Sequence, residues 1–427
     1  MRQVHDSTPC LTGLGLVTGL GFGVTVNREA LLAGDTAIGR VADGVAETSL
    51  AARVDEPYLR VEVPGSLESQ LKFLNGSGLL AVEAAIEACG VAGWQADDPE
   101  PERRGLWLSQ MDAWDWSCVE LREGVAAATD DFKLPLEAAA LNASCSRRVK
   151  PFFILDSLKN NAFSFLANLF DLQGANTATA GFDAATLGLL DLAARSLVRG
   201  DLDRAMVTGA GRIAADVARH DLVLHGLARP SDDPGYRPFD VDGVGLVPGE
   251  AAAAVTVETR DRCASPIAAL LGFGTATGEP LAGVLAPTAE TLAAAIDEAL
   301  EEAQVRAGDL AAVVLPAYGI PEADRAQLAA LAAASAFAVV FDGVPAVCWR
   351  GAVGHTALAS DLVDLVLAAD GLRTGRLAGT IGLRTPLADA GRPIAGAAGV
   401  EVGSGGVLIV SAGLRGQASA AVLGRAG

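Results

Sequence analysis

VKPFFILDSLKNNAFSFLANLFDLQGANTATAGFDAATLGLLDLAARSLVRGDLDRAMVTGA, residues 149–210, is the most informative stretch of this 427-residue chain. Inside it the β-prone run 175–180 ends at Gly181-Phe182-Asp183. Leu190, Ala193, Ala194, Leu197 and Val198 then recur at helical spacing until Arg199-Gly200 closes the segment. A strand that turns sharply into a helix holds one side chain at the turn, beside unpaired helix N–H groups and the positive end of the helix dipole. Nucleophiles are placed at such turns in many enzymes. The residue at this turn is Asp183. A carboxylate there also reads as a helix cap, so both readings stand at this point.

The segment resembles the active-site region of the β-ketoacyl synthases of the thiolase-like fold. That family reads roughly as SPFF…N…G-P-S-x-x-x-x-T-A-C-x-S-G…A-A-R-x-I…G-D-A-D-x-M-x-x-G-G, with the Cys as nucleophile. Lys150-Pro151-Phe152-Phe153, Asn161, Gly174, Ala193-Ala194-Arg195, Gly200-Asp201, Asp203 and Gly209 fall in register without gaps, and Met206 lies one place late. The nucleophile position then falls on Asp183. The resemblance implies an α/β protein with five layers, α/β/α/β/α, built from two duplicated halves. We expect these halves at residues 1–258, which carry the degenerate nucleophile site, and 259–427.

Composition bounds the rest. The length suits one large domain or two fused halves with ample core. A net charge of −20 argues against a nucleic-acid backbone as partner, although Arg147-Arg148 with Lys150 makes a local basic patch. Six scattered cysteines without a CxxC predict reduced thiols in a cytoplasmic protein, and they offer no metal-ligand spacing. The first residues lack the pattern of a signal peptide, and the Ala-rich run 326–341 is too short and weakly apolar for a membrane span.

In chain order, the glycine-studded run 11–23, LTGLGLVTGLGFG, is a strand and loop followed by a helical run at 27–32. A GxG element alone is a weak sign of dinucleotide binding, and no convincing βαβ unit follows it. No cofactor is expected. The spacing predicts a helix over 73–90 and a strand over 105–110, leading to Trp114 and Trp116, which read either as local packing or as tunnel lining. Arg237-Pro238-Phe239-Asp240 through Glu250 resembles the family's R-P-F-D-x-x-R-D-G-F-V-x-G-E-G and reads as scaffold before a strand at 252–257. The second half shows helices at 286–303, 324–334 and 357–369. Its strands are expected at 310–315, 336–341, 379–383 and 407–410. Alternation of this kind in both halves suits stacked sheets with helices between and outside.

The resemblance assigns four things to the condensation chemistry: a thiol, two His, a supporting Lys and an oxyanion hole. Asp183 replaces the thiol. An acyl–carboxylate anhydride would hydrolyse where a thioester stores the chain. Tyr318, in Pro316-Ala317-Tyr318-Gly319-Ile320, replaces the His of N-A-H-G-T; a phenol donates a hydrogen bond but lacks imidazole's basicity. In Arg350-Gly351-Ala352-Val353-Gly354-His355 the second His remains as His355, and Arg350 replaces the Lys of K-x-x-x-G-H. The glycine-rich G-F-G-G-T-N is read at residues 400–406, VEVGSGG. The resemblance thus implies no independent catalysis. It points to a subunit like the chain length factors, which pairs with an active ketosynthase, meets acyl carrier protein and closes the acyl tunnel. Asn161, Phe163 and Phe165 are the expected interface residues, with Trp114 and Trp116 as tunnel stops. Two alternatives remain: a malonyl decarboxylase or other acyl-carrier enzyme using His355, Tyr318 and Asp183, and a non-enzymatic carrier-protein scaffold.

Overall fold

The computed structural model describes residues 4–41, 50–95, 98–110, 119–129, 137–149, 155, 158–180, 183–228, 235–334, 343–387 and 394–426. Two runs of elements follow one another in the same order apart from one extra helix, α1, in the first. The first is β1 (Pro9–Thr18), α1 (Val24–Ala33), α2 (Gly76–Ala92), β2 (Arg104–Gln110), α3 (Lys159–Leu169), β3 (Asn176–Thr179), α4 (Ala185–Val198), β4 (Arg204–Arg212) and β5 (Glu250–Thr259). The second is β6 (Ala268–Thr277), α5 (Ala289–Ala303), β7 (Leu310–Val314), α6 (Pro321–Ala333), β8 (Ala346–Val347), α7 (Ser360–Thr374), β9 (Gly406–Ala412) and β10 (Gln417–Gly424).

The strands lie in the order β8-β7-β9-β10-β6-β1-β5-β4-β2-β3. Read outward from the middle, β1-β5-β4-β2-β3 and β6-β10-β9-β7-β8 are the same arrangement, with two antiparallel pairings followed by two parallel ones in each. The halves meet where β1 and β6 pair at Cys10↔Ala269 and Leu11↔Ala268. This duplication is what the resemblance implied for the fold.

Side-chain alternation along these strands separates the core into three slabs. Met206 and Ala252 face an outer slab with Leu80, Ala84 and Phe165, whereas Val207 and Ala253 face a central one with Leu190 and Leu365. In the second half Val314 and Ile409 join the same central slab, while Val313 and Leu408 face a third with Ile296 and Leu328. α4 and α7 are therefore the middle layer, shared by both half-sheets. From Ser360 to Leu372 every residue of α7 is buried, as a helix covered by sheet on both sides requires.

Gly13 and Gly15 explain the glycine pattern of β1. A Cβ at Gly13 would meet Ala88 O at 2.0 Å, and one at Gly15 would meet Ala84 O at 1.9 Å. The glycines let α2 lie against the strand, which is a packing role and not a phosphate loop. Other expectations need correction. Residues 379–383 form no strand; Gly379 abuts Gly396 O, Thr380 N–H donates to Ala395 O, and Gly382 has φ +88°. β6 and β10 escaped the sequence reading because AALLGFGTAT and QASAAVLG are small-residue strands with little alternation. Residues 335–342, which hold the expected strand 336–341, lie outside the described residues, as do Trp114, Trp116 and 150–154. Among the described residues no helix is long and apolar enough to cross a membrane.

Candidate functional site

β3 leads into α4 and β8 leads towards α7, so the two loops entering the middle layer occupy equivalent places in the two halves. Asp183 stands in the first loop and His355 in the second. Their side chains meet: Asp183 Oδ2 lies 2.6 Å from His355 Nε2, with both residues 0% exposed. Each loop bends sharply, since Ala184 has φ 73° and Ala357 has φ 49°, values an L-residue adopts only when its surroundings impose them.

Asp183 does not cap α4. The N-cap is Ala184 without a side-chain cap bond, and the N–H of Leu187 donates instead to Asp361 Oδ2 of α7 at 2.9 Å. Thr186 Oγ1 donates to Leu358 O at 2.6 Å, which ties the helix starts together a second time. The reading of Asp183 as a helix cap is therefore corrected: a carboxylate from the neighbouring helix fills that role and leaves Asp183 for His355.

His355 is held by its own backbone. Its N–H donates to Val247 O at 2.7 Å, and its carbonyl accepts from Gly249 N–H at 2.7 Å. The Ala357 N–H donates to Nδ1 at 3.4 Å, and Nε2 is turned towards Asp183. Tyr318 stands edge-on to this imidazole, with ring centroids 5.8 Å apart and planes at 71°. Its hydroxyl donates to Ala412 O, and burial followed by the Asp183 charge pushes its pKa well above the usual phenol range.

Arg350 lies in a helical turn, Arg350–Val353, and is 0% exposed. Its Nη2 donates to Asp364 Oδ2 at 2.6 Å and its Nε to Pro316 O at 3.4 Å. Burial opposes the Arg350 charge, and the surrounding acidic groups, Asp364 first and then Asp183, Cys348 and Tyr236, together more than offset it. Burial also pushes three nearby carboxyls up to about 7: Asp361, Asp364 and Asp324. Asp324 accepts the N–H groups of Phe239, Tyr318 and Gly319 and so fixes the loop that carries Tyr318.

The structure brings Asp183, Tyr318 and His355 together and sets Arg350 within their electrostatic reach. It does not bring residues 400–406 there. Those run into the start of β9, whose far end reaches the site: Gly413 abuts Asp183 O, where an added Cβ would come within 2.5 Å. Seven residues of strand, about 20 Å, separate the two ends. The glycine-bearing turn at the site is Gly413-Leu414-Arg415-Gly416, anchored by Gly413 N–H to Gln417 O, Gly278 N–H to Gly416 O and Arg415 N–H to Leu285 O. The sequence placement of that motif is thus corrected.

The interface residues divide. Phe165 is 1% exposed and packs inside the outer slab on the same helical face as Ala162, Leu166 and Leu169, so this chain's own core uses it. Phe163 and Asn161 are half-buried, and Asn161 Nδ2 donates to Phe73 O at 2.9 Å. Asp361, Asp364 and Asp324 were missed. The signal was available in SDLVDLVLAAD, where carboxylates three apart interrupt an apolar helix. Among the described residues no group of three or more His, Cys, Asp or Glu is placed to hold a metal.

Comparison with known proteins agrees with this architecture. The family profile described as beta-ketoacyl synthase, N-terminal domain, matches residues 10–262, and that of the C-terminal domain matches residues 267–384. The tetracenomycin polyketide synthase ketoacyl synthase beta subunit of Streptomyces glaucescens is 26% identical over 438 residues, spanning 98% of each chain. A 3-oxoacyl-[acyl-carrier-protein] synthase 2 of Coxiella burnetii is 30% identical over 280 residues, 62% of this chain and 62% of that protein. Among solved structures, the ishigamide ketosynthase/chain length factor superposes with a TM-score of 0.82 at 21% identity, over 99% of this chain and 100% of the other. A type II polyketide acyl-carrier protein complex with its ketosynthase gives 0.80 at 18% identity, over 99% and 100%. The chain belongs to the β-ketoacyl synthase family and has its thiolase-like fold.

Proposed function

We propose that this chain is a non-catalytic ketosynthase-like subunit that pairs with an active β-ketoacyl synthase and shapes the tunnel for its growing acyl chain. In this reading its units are the halves 1–258 and 259–427. One observation carries it: the carboxylate of Asp183 stands where the acyl-accepting thiol is expected and is sealed against His355, 2.6 Å away and 0% exposed. Neither group is then offered to a substrate. Nδ1 faces the Ala357 N–H and Nε2 faces the Asp183 carboxylate, so both ring nitrogens are turned to the chain's own groups. Tyr318 spends its hydroxyl proton on a backbone carbonyl.

The partner surface follows from the sheet. β8 at one end is joined by the segment after it, through the Ala346↔Ile394 bridge, whereas β3 at the other end pairs with β2 alone among the described residues. Leu155 and Leu158, just before α3, are exposed, 43% and 45% respectively. An exposed strand edge suits pairing with another chain. Acyl carrier protein would reach the assembly by delivering groups to the active partner.

Co-expression with a ketosynthase that has its Cys and both His provides the test. A soluble heterodimer with condensing activity, and no release of carbon dioxide from malonyl-carrier protein by this chain alone, is the expected outcome. A stable homodimer that takes no synthase contradicts the proposal. Turnover by the isolated chain that disappears in His355→Ala would favour the decarboxylase reading, and carrier-protein capture without a synthase would favour the scaffold reading.

A further inference from the structure

We infer that Asp183 is a tethered anion: its carboxylate, through His355, clamps together the two loops that start the middle-layer helices. This rests on the reading of the site as sealed and does not require the pairing reading. Asp183 makes no cap to its own helix. His355 arrives with its ring pre-aimed, because its backbone is bonded on both sides to Val247 and Gly249 of the other half. Asp183 is equally confined, with its carbonyl against Gly413. The carboxylate lies against the His355 imidazole at 2.6 Å, at the start of α4, with the Arg350 guanidinium within electrostatic reach. Asp361 and Asp364 face the same cluster from α7, with Asp361 on the Leu187 N–H and Asp364 on Arg350. The fold has thus kept a place for an anion and filled it with its own side chain.

Removing one member of a buried pair strands the other, so the two positions act as a unit. The experiment compares the heterodimer, or the purified chain, as wild type, Asp183→Asn, His355→Gln and the double variant in denaturant titration. The double variant is expected to be more stable than the two single losses predict, by about tenfold in the unfolding equilibrium constant. Additive losses would overturn the inference. In Asp183→Ala the vacated position is carboxylate-sized, and sodium formate or acetate is expected to raise the denaturation midpoint above that in sodium chloride of equal ionic strength. The wild type should show no such difference. An Asp183→Ala protein that responds equally to formate and chloride, or that is as stable as wild type, would overturn it as well. Heterodimer yield is scored separately, so a failure of pairing is distinguishable from a failure of the clamp.

Discussion

Asp361 does for α4 what a Ser or Thr cap does elsewhere, but from another helix, and this makes it an informative residue to change. Asp361→Ala removes the acceptor of the Leu187 N–H inside a dry layer and should cost about 2 kcal/mol, read by denaturant titration. Tyr318→Phe removes the donor to Ala412 O and should cost about 1 kcal/mol by the same measurement. The buried carboxyls also set a pH dependence. Asp324, Asp361 and Asp364 are raised to about 7, so between the ordinary carboxyl range and pH 7 the folded chain keeps protons that the unfolded chain has released. Stability from these groups is full at the acid end of that window and falls as pH rises towards 7. Unfolding free energies measured across it should decline with pH, less steeply in Asp361→Asn than in wild type. At this scale the sequence disclosed Asp183, Tyr318, Arg350 and His355, because each sits at a fixed distance from glycines the fold needs. It did not disclose Asp361 or the Gly413 turn. Their roles arise from contacts across 174 residues in one case and from the back of a hairpin in the other.

The elements fit because small residues let them approach. Gly15→Ala would drive a methyl group into Ala84 O of α2 and should cost about 3 kcal/mol or prevent folding, visible in soluble yield and thermal unfolding. At the sheet edge, the Leu106 N–H bonds to Ala175 O. Alternation then turns the N–H of Thr177 towards β2 and that of Ala178 outward. Ala178→Pro should therefore abolish pairing with a partner synthase in size-exclusion chromatography while leaving the subunit folded, whereas Thr177→Pro should damage the subunit itself. Helices and parallel strands with long apolar runs, such as α5 and β7, could be read from periodicity. β6 and β10 could not, since alanine, glycine and threonine on both faces leave no alternation to count.

At the scale of the whole molecule, the duplicated halves place two loop–helix junctions face to face, and family members use that meeting point for a thiol and imidazoles. This chain keeps the meeting point and changes what meets there: a carboxylate against an imidazole, with a guanidinium and a phenol behind them. Such a buried carboxylate–imidazole contact favours holding the halves in register over accepting an acyl group. Intact-mass analysis of the co-purified heterodimer, after incubation with an acyl-loaded carrier protein, tests the central claim most directly. The account predicts that the acyl mass appears on the partner synthase and that this chain keeps its unmodified mass. An acyl adduct on this chain would contradict it.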